Sequence, residues 1–376
     1  MTVARTSSAR AGVADRGGPL EALRFLAAAF IVLYHVGIEA PVRLGDIAPI
    51  FQRGWLATDF FLMLSGYILG RAYGRSLDEG RLGAVEFFKR RVLRVWPGQA
   101  MVLAGFLLLL LATRSVGIEP RHPENFTAGE FVQQLFLVHA WGFSPSLGWN
   151  QPSWSLSVLV VCYALFGPVW VATRRLTPVL ALVAGPAVLL LAAVGVQAAL
   201  GESLSDLRAD VGLLRGIPLF FCGVMLSRAA TGLSLSPRSA KGFLAAALAA
   251  LAASQMVDRT EASAFAAILA IGTVIVVADA WKGSSPLAHA GARISYALYI
   301  SSSLIGAVWF GVIRMVQDRV DVGVAGEWLL WAGSIPAAIA AAWLFDRFID
   351  APVQRWIKAR RAARAAVAGE AVATPG

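Results

Sequence analysis

The chain has 376 residues, 57% of them hydrophobic and 15% charged, with a formal net charge of +10. Soluble domains carry roughly 25% charged residues, so this composition excludes a large water-soluble globule and points to a polytopic membrane protein. The two cysteines, Cys162 and Cys222, both fall in apolar segments and read as small buried side chains, not as a disulfide framework or a zinc site.

In chain order, residues 1–19 form a polar tail carrying Arg5, Arg10 and Arg16. The tail is similar to a signal-peptide n-region. The following segment is long, carries Arg24 and lacks an A-x-A cleavage site, so it is expected to be retained as a first span. Apolar stretches of about 20 residues then predict ten transmembrane helices. They lie at 20–37, 54–71, 95–112, 153–173, 177–199, 211–228, 242–257, 262–281, 294–313 and 328–348. The stretch FVQQLFLVHAWG, residues 131–142, is too short to span and is expected at the interface or re-entering. The expected organisation is a cytoplasmic tail (1–19), an all-α ten-helix domain (20–352) and a basic cytoplasmic tail (353–376), RWIKARRAARAA being its amphipathic part.

Charge supports this topology. With the N-terminus in the cytoplasm, 23 of the 33 lysines and arginines fall on the cytoplasmic side and nine on the other, with Arg24 inside the first span. That is the positive-inside pattern, so the basic balance calls for no nucleic acid, and membrane phospholipids are the expected partners. No P-loop, dinucleotide fingerprint, HExxH or GxSxG occurs in a plausible context, and no internal repeat of the transporter kind is visible.

Three polar features interrupt the apolar pattern. In LEALRFLAAAFIVLYHVG (residues 20–37), Arg24 and His35 lie about 20° apart around the helix and about 16 Å apart along it. Singly, each has an ordinary interfacial explanation. On one stripe, they suggest a polar path through the bundle. Asp59 lies a little over one turn into the second span, at a depth similar to that of His35, and imidazole is its nearest candidate partner. An Asp59–His35 pair would fix the ring tautomer and strengthen it as a general base, or serve only to join two helices. At the mouth of the third span, FFKRRVLRVWP (residues 87–97) brings Arg90, Arg91 and Arg94 to the depth of Arg24. Each serves as a positive-inside stop; together, four guanidinium groups make a cradle for phosphates.

ALRFLAAAFIVLYHVG, TDFFLMLSGYILG, RRVLRVWP, PSWSLSV, ISYALYI and IDAPVQRW occur in the order found in the integral-membrane acyltransferase-3 family, and the chain resembles that family from residue 20 to about 358. The resemblance implies a bacterial inner-membrane enzyme that moves an acyl group, acetyl in the simplest case, from cytoplasmic acyl-CoA to a hydroxyl of a glycan, lipid-linked sugar or secondary metabolite. It implies no metal. His35 matches the family's essential histidine, Arg24 its paired arginine, and Arg91 and Arg94 its Arg-x-x-Arg motif. On this basis His35 and Asp59 are the candidate catalytic residues. Arg24, Arg90, Arg91 and Arg94 are the candidates for binding acyl-CoA, and Ser65, Trp154 and Tyr299 for binding substrate.

Three positions depart from the family's pattern. Leu159 follows PSWSLSV where glutamate is usual, Leu219 follows Pro218 where glutamate is usual, and Ser301, Ser302 and Ser303 stand near where a histidine often occurs. A milder change puts Asp350 at a position where glutamate is common. An altered acceptor, a role for His139, or a non-catalytic member would each account for these changes. A transporter or flippase of an acyl donor or glycolipid is the rival from another class, because polar residues inside a bundle suit a transport path equally well. Trp141, Trp149 and Trp154, near the expected outer face, are available to stack on sugar rings or to sit as interfacial aromatics.

Overall fold

A computed structural model describes residues 18–120, 122–144, 148–231, 235–257, 260–281, 283 and 285–373; the N-terminal tail with Arg5, Arg10 and Arg16 lies outside them. The described residues are helical with short connections and no strand. In order, the helices are α1 (Pro19–Val36), the single turn α2 (Leu44–Ile47), α3 (Leu56–Asp78), α4 (Ala84–Ser115), the short α5 (Ala128–Leu135), α6 (Trp154–Ala172), α7 (Pro178–Leu200), α8 (Gly212–Ala229), α9 (Pro237–Met256), α10 (Glu261–Ala280), α11 (Pro286–Gln317), α12 (Gly323–Phe345) and α13 (Ala351–Ala373). Proline at the first turn starts α1, α7, α9 and α11, where a missing N–H costs nothing. Thr260 opens α10 with a capping box closed by Ser263.

Eight of these helices are long and apolar enough to cross a membrane. The stretches expected to span at 54–71 and 242–257 do form helices, α3 and α9, but fall outside those eight. Helix α3 carries Asp59, Arg71, Arg75 and Asp78, and the apolar character of α9 comes mostly from alanine. The segment at 131–142 ends the short α5 in an irregular turn, as its length requires.

The core divides in two. The larger cluster is built on α3, α4, α6, α8 and α10 around Leu62, Phe87, Leu103, Phe166 and Phe220. A smaller one joins α1, α11 and α12 through Ala28, Val32, Leu298 and Ala342. Between them sit Ile31, Ala57 and Tyr299, and the ring of Phe61 packs against all three groups. The parallel helices α3 and α8 approach most closely. A Cβ on Gly66 would lie 1.9 Å from the Phe220 carbonyl oxygen, and one on Gly223 would lie 1.9 Å from that of Met63. Reciprocal glycines of this kind bring two helix backbones into contact, which is how packing is gained where lipid removes the hydrophobic drive.

Candidate active site

The close α3–α8 contact places Asp59 of α3 against Arg215 of α8. Arg215 Nε and Nη2 donate to Asp59 Oδ1 and Oδ2 at 2.9 and 2.7 Å, and Nη1 donates to the Ser205 carbonyl at 2.9 Å. The guanidinium also lies over the Trp55 ring, 4.5 Å from its centroid. The side chains are 0% and 8% exposed, so this ion pair is fully inside the protein. It corrects the expected Asp59–His35 pair: both carboxylate oxygens are engaged by the guanidinium, whose planar fork matches them two to two.

His35 nevertheless belongs to the same site. A cavity of about 160 Å³ is lined by His35, Tyr34, Thr58, Gln151, Trp154 and Arg215, with Arg208 at its rim. His35 is partly buried, its ring stands 5.2 Å from that of Tyr34, and among the described residues its side chain makes no hydrogen bond. Its ring nitrogens are therefore available to whatever enters the cavity. Gly212 gives the Trp154 ring its place: a Cβ there would come within 2.7 Å of that ring.

The turn that carries Gln151 and Trp154 is fixed by buried polar groups. The Tyr299 phenol donates to the Pro152 carbonyl at 2.7 Å, so the Ser155 hydroxyl, 2.8 Å away, donates to the phenol oxygen. Asn150 is held by Gln99, Gln134 and the Ile300 carbonyl at 2.8–3.2 Å, and Ser153 lies 3.0 Å from His139 Nε2. Ser153 gives its own proton to the Asn150 carbonyl at 2.7 Å, which leaves His139 Nε2 as the donor to Ser153. His139 is 0% exposed, does not line the cavity, and supports the turn through Ser153. Trp149 is likewise buried against Phe126 and Phe131, and Trp141 gives its N–H to the Ser157 carbonyl.

At the other end of α1, Arg24 lies within electrostatic reach of Arg91 and Arg94 of α4 and of Glu21. Arg91 sits over Tyr163, 5.4 Å from the ring centroid, with a buried Nε that has no acceptor. Arg94 sits over Tyr296 at 4.8 Å, and its Nη1 reaches both oxygens of Asp350 at 3.0 Å. Asp350 arrives here through one π-helical turn, Asp346–Asp350, that joins α12 to α13. Arg90 is placed elsewhere: it is exposed and pairs with Glu86 at 2.8 Å, an oxygen shared with Arg361.

Of the other expected residues, Trp154 lines the cavity. Tyr299 sits beneath it as a cross-link from α11 to the turn. Ser65, partly buried, donates to its own helix at Phe61, 2.7 Å away. Leu159 and Leu219 are buried in the large core cluster, and Ser302 donates to the Tyr299 carbonyl at 3.0 Å. Arg215 was the residue missed. A charge within an expected span, facing another span with an unpartnered carboxylate, was the available signal.

The fold and this arrangement define a membrane helix bundle with a polar site at each end of its first helix. The chain belongs to the acyltransferase-3 family: the model of that family's acyltransferase domain matches residues 19–347. It is similar to an acyltransferase, MdmB, of Streptomyces mycarofaciens, at 30% identity over 168 residues, 43% of this chain and 40% of the relative. It is also similar to protein 2 in the picA locus of Rhizobium radiobacter, at 28% identity over 46% of this chain and 92% of that protein. The matched region thus spans less than half of the Streptomyces relative. No solved structure matches the chain.

Proposed function

We propose that the protein is an O-acyltransferase of the bacterial inner membrane that moves a short acyl group, acetyl in the simplest case, from acyl-CoA to an acceptor hydroxyl, with His35 as general base. The acceptor class is a glycan, a lipid-linked sugar or a hydroxylated secondary metabolite. In this reading α3 and α9 complete ten spans and both termini face the cytoplasm. The arginine end of α1 then opens to the cytoplasmic pool of CoA esters.

The observation that carries the reading is His35, its side chain without a hydrogen bond among the described residues, lining a cavity on the helix stripe that ends at Arg24, close to Arg91 and Arg94. CoA phosphates dock on the three guanidiniums, and the acyl thioester extends along α1 toward the cavity. His35 takes the proton of the acceptor hydroxyl as its oxygen forms a bond to the thioester carbonyl carbon. The C–S bond then breaks and the thiolate leaves as CoA, taking up a proton. Arg215 has five N–H donors, three of them committed to Asp59 and Ser205, so two remain for the developing oxyanion.

The test is release of free CoA from acetyl-CoA by the purified full chain in nanodiscs, across a panel of hydroxylated acceptors. His35→Ala should lower transfer by about 10²–10⁴-fold, the range for loss of a general base. The buried Leu159 and Leu219 favour one rival, a non-catalytic member. Acyl-CoA binding that Arg91→Ala weakens, without any CoA release by the wild type, would establish that rival and sink the enzyme.

A further inference from the structure

A second set of arginines lies away from the first. At the ends of α3, α6 and α8 a cavity of about 420 Å³ is lined by Arg71, Arg75, Arg174 and Arg228, with Asp78 as its lining carboxylate. A row of rings separates it from Arg91: Tyr73, Phe87, Phe166 and Trp170 follow one another at centroid distances of 5.2, 4.8 and 5.9 Å. Gly74 lets Trp170 lie against α3, since a Cβ there would meet that ring at 2.1 Å.

The four guanidiniums are unevenly satisfied. Arg71 pairs with Asp279 at 3.3 Å and Arg75 with Glu79 at 2.7 Å. Asp78 is taken up by the Trp170 N–H at 3.0 Å. Arg228 stacks on Trp170, 3.6 Å from the centroid, and bonds the Trp170 carbonyl, while its Nε is buried with no acceptor. Neither Arg174 nor Arg228 has a carboxylate within ion-pair distance among the described residues. Two guanidiniums outside any close ion pair across one cavity, one of them held flat, partly desolvated and answered only at longer range by Asp78, suit a tetrahedral oxyanion. The cavity rim continues at Leu176 into the exposed Val179, Leu180 and Val183 of α7, an apolar strip along which an acyl chain would lie.

We infer that this cavity binds a phosphate group, carried there by an anionic glycerophospholipid of the surrounding membrane. The inference goes beyond acyl transfer and stands without it. The test is native mass spectrometry of the detergent-solubilised full chain titrated with phosphatidylglycerol, phosphatidylcholine and, separately, inorganic phosphate. Phosphatidylglycerol should bind in preference to phosphatidylcholine, and Arg174→Gln/Arg228→Gln should weaken it tenfold or more. Arg43→Gln, which removes an exposed charge outside the cavity and outside the basic tail, should leave it unchanged. Because Arg228 packs on Trp170, Arg174→Gln alone supplies a variant at an exposed position and should show a smaller loss of the same sign. Equal weakening by Arg43→Gln, or no loss in either cavity variant, would overturn the site. Arginine-dependent binding of inorganic phosphate without lipid preference would overturn the lipid assignment.

Discussion

The two ends of α1 use arginine in opposite ways. At the His35 end, Arg215 is matched to one carboxylate, both side chains are closed off from solvent, and the side chain of the histidine beside them makes no hydrogen bond among the described residues. At the Arg24 end, Arg91 and Arg94 lie over tyrosine rings, Asp350 pairs with Arg94, Glu21 lies in electrostatic reach of Arg24, and a buried Nε of Arg91 has no acceptor. A cancelled charge pair fixes geometry, because neither partner can leave without stranding the other. A surplus of one sign stores attraction for a ligand of the other sign.

Four substitutions would break or sharpen that contrast, taken from the largest effect down. Asp59→Leu strands Arg215 in the protein interior and should cost about 3–5 kcal/mol of stability, read as a lower unfolding temperature in detergent. Adding Arg215→Met should restore most of that stability without restoring transfer; failure to restore it would mean that the pair does more than hold itself together. Arg91→Gln should raise the KM for acyl-CoA by tenfold or more, the effect of about 1.5–3 kcal/mol expected of a charged hydrogen bond, with kcat nearly unchanged. A fall in kcat at constant KM would instead place Arg91 in the chemical step.

Tyr299→Phe removes the phenol that ties the Pro152–Ser155 turn to α11 and should cost about 1 kcal/mol, with acceptor KM changing more than donor KM as Trp154 shifts. Arg90→Gln loses an exposed pair three to four residues along a helix, worth about 0.3–0.5 kcal/mol, and should leave the donor KM as it is. If it raised that KM as far as Arg91→Gln does, Arg90 would belong with the other three after all.

Much of this arrangement was legible beforehand, for a physical reason. Lipid makes charge expensive, so Arg24, His35, Asp59, Arg91 and Arg94 stood out against apolar runs, and helical periodicity placed Arg24 and His35 on one face. Partner choice was not legible. Similar depth along their helices pointed from Asp59 to His35, whereas the close approach at Gly66 and Gly223 brings Arg215 across from a helix more than 150 residues away. Arg90 was grouped with Arg91 by adjacency, but one residue is about 100° around a helix, and that rotation turned it out toward Glu86. The span count rested on α3 and α9: α3 is mostly buried but carries four charged side chains, and α9 is alanine-rich and mostly exposed, so neither is among the eight helices long and apolar enough to cross a membrane.

The Gly66–Gly223 contact also has a mechanical side. Two backbones that touch with no side chain between them have no room to slide, so α3 and α8 move as a single strut that carries Asp59, Arg215 and Thr58. The opposite wall of the cavity, with Tyr34 and His35, rides on α1, which meets that strut only through side chains such as Ile31 and Phe61. On the proposed reaction, the freedom to widen the cavity would lie with α1, with α11 and α12 packed behind it, and not with the α3–α8 pair. His35 would then travel while the Arg215 guanidinium stayed still.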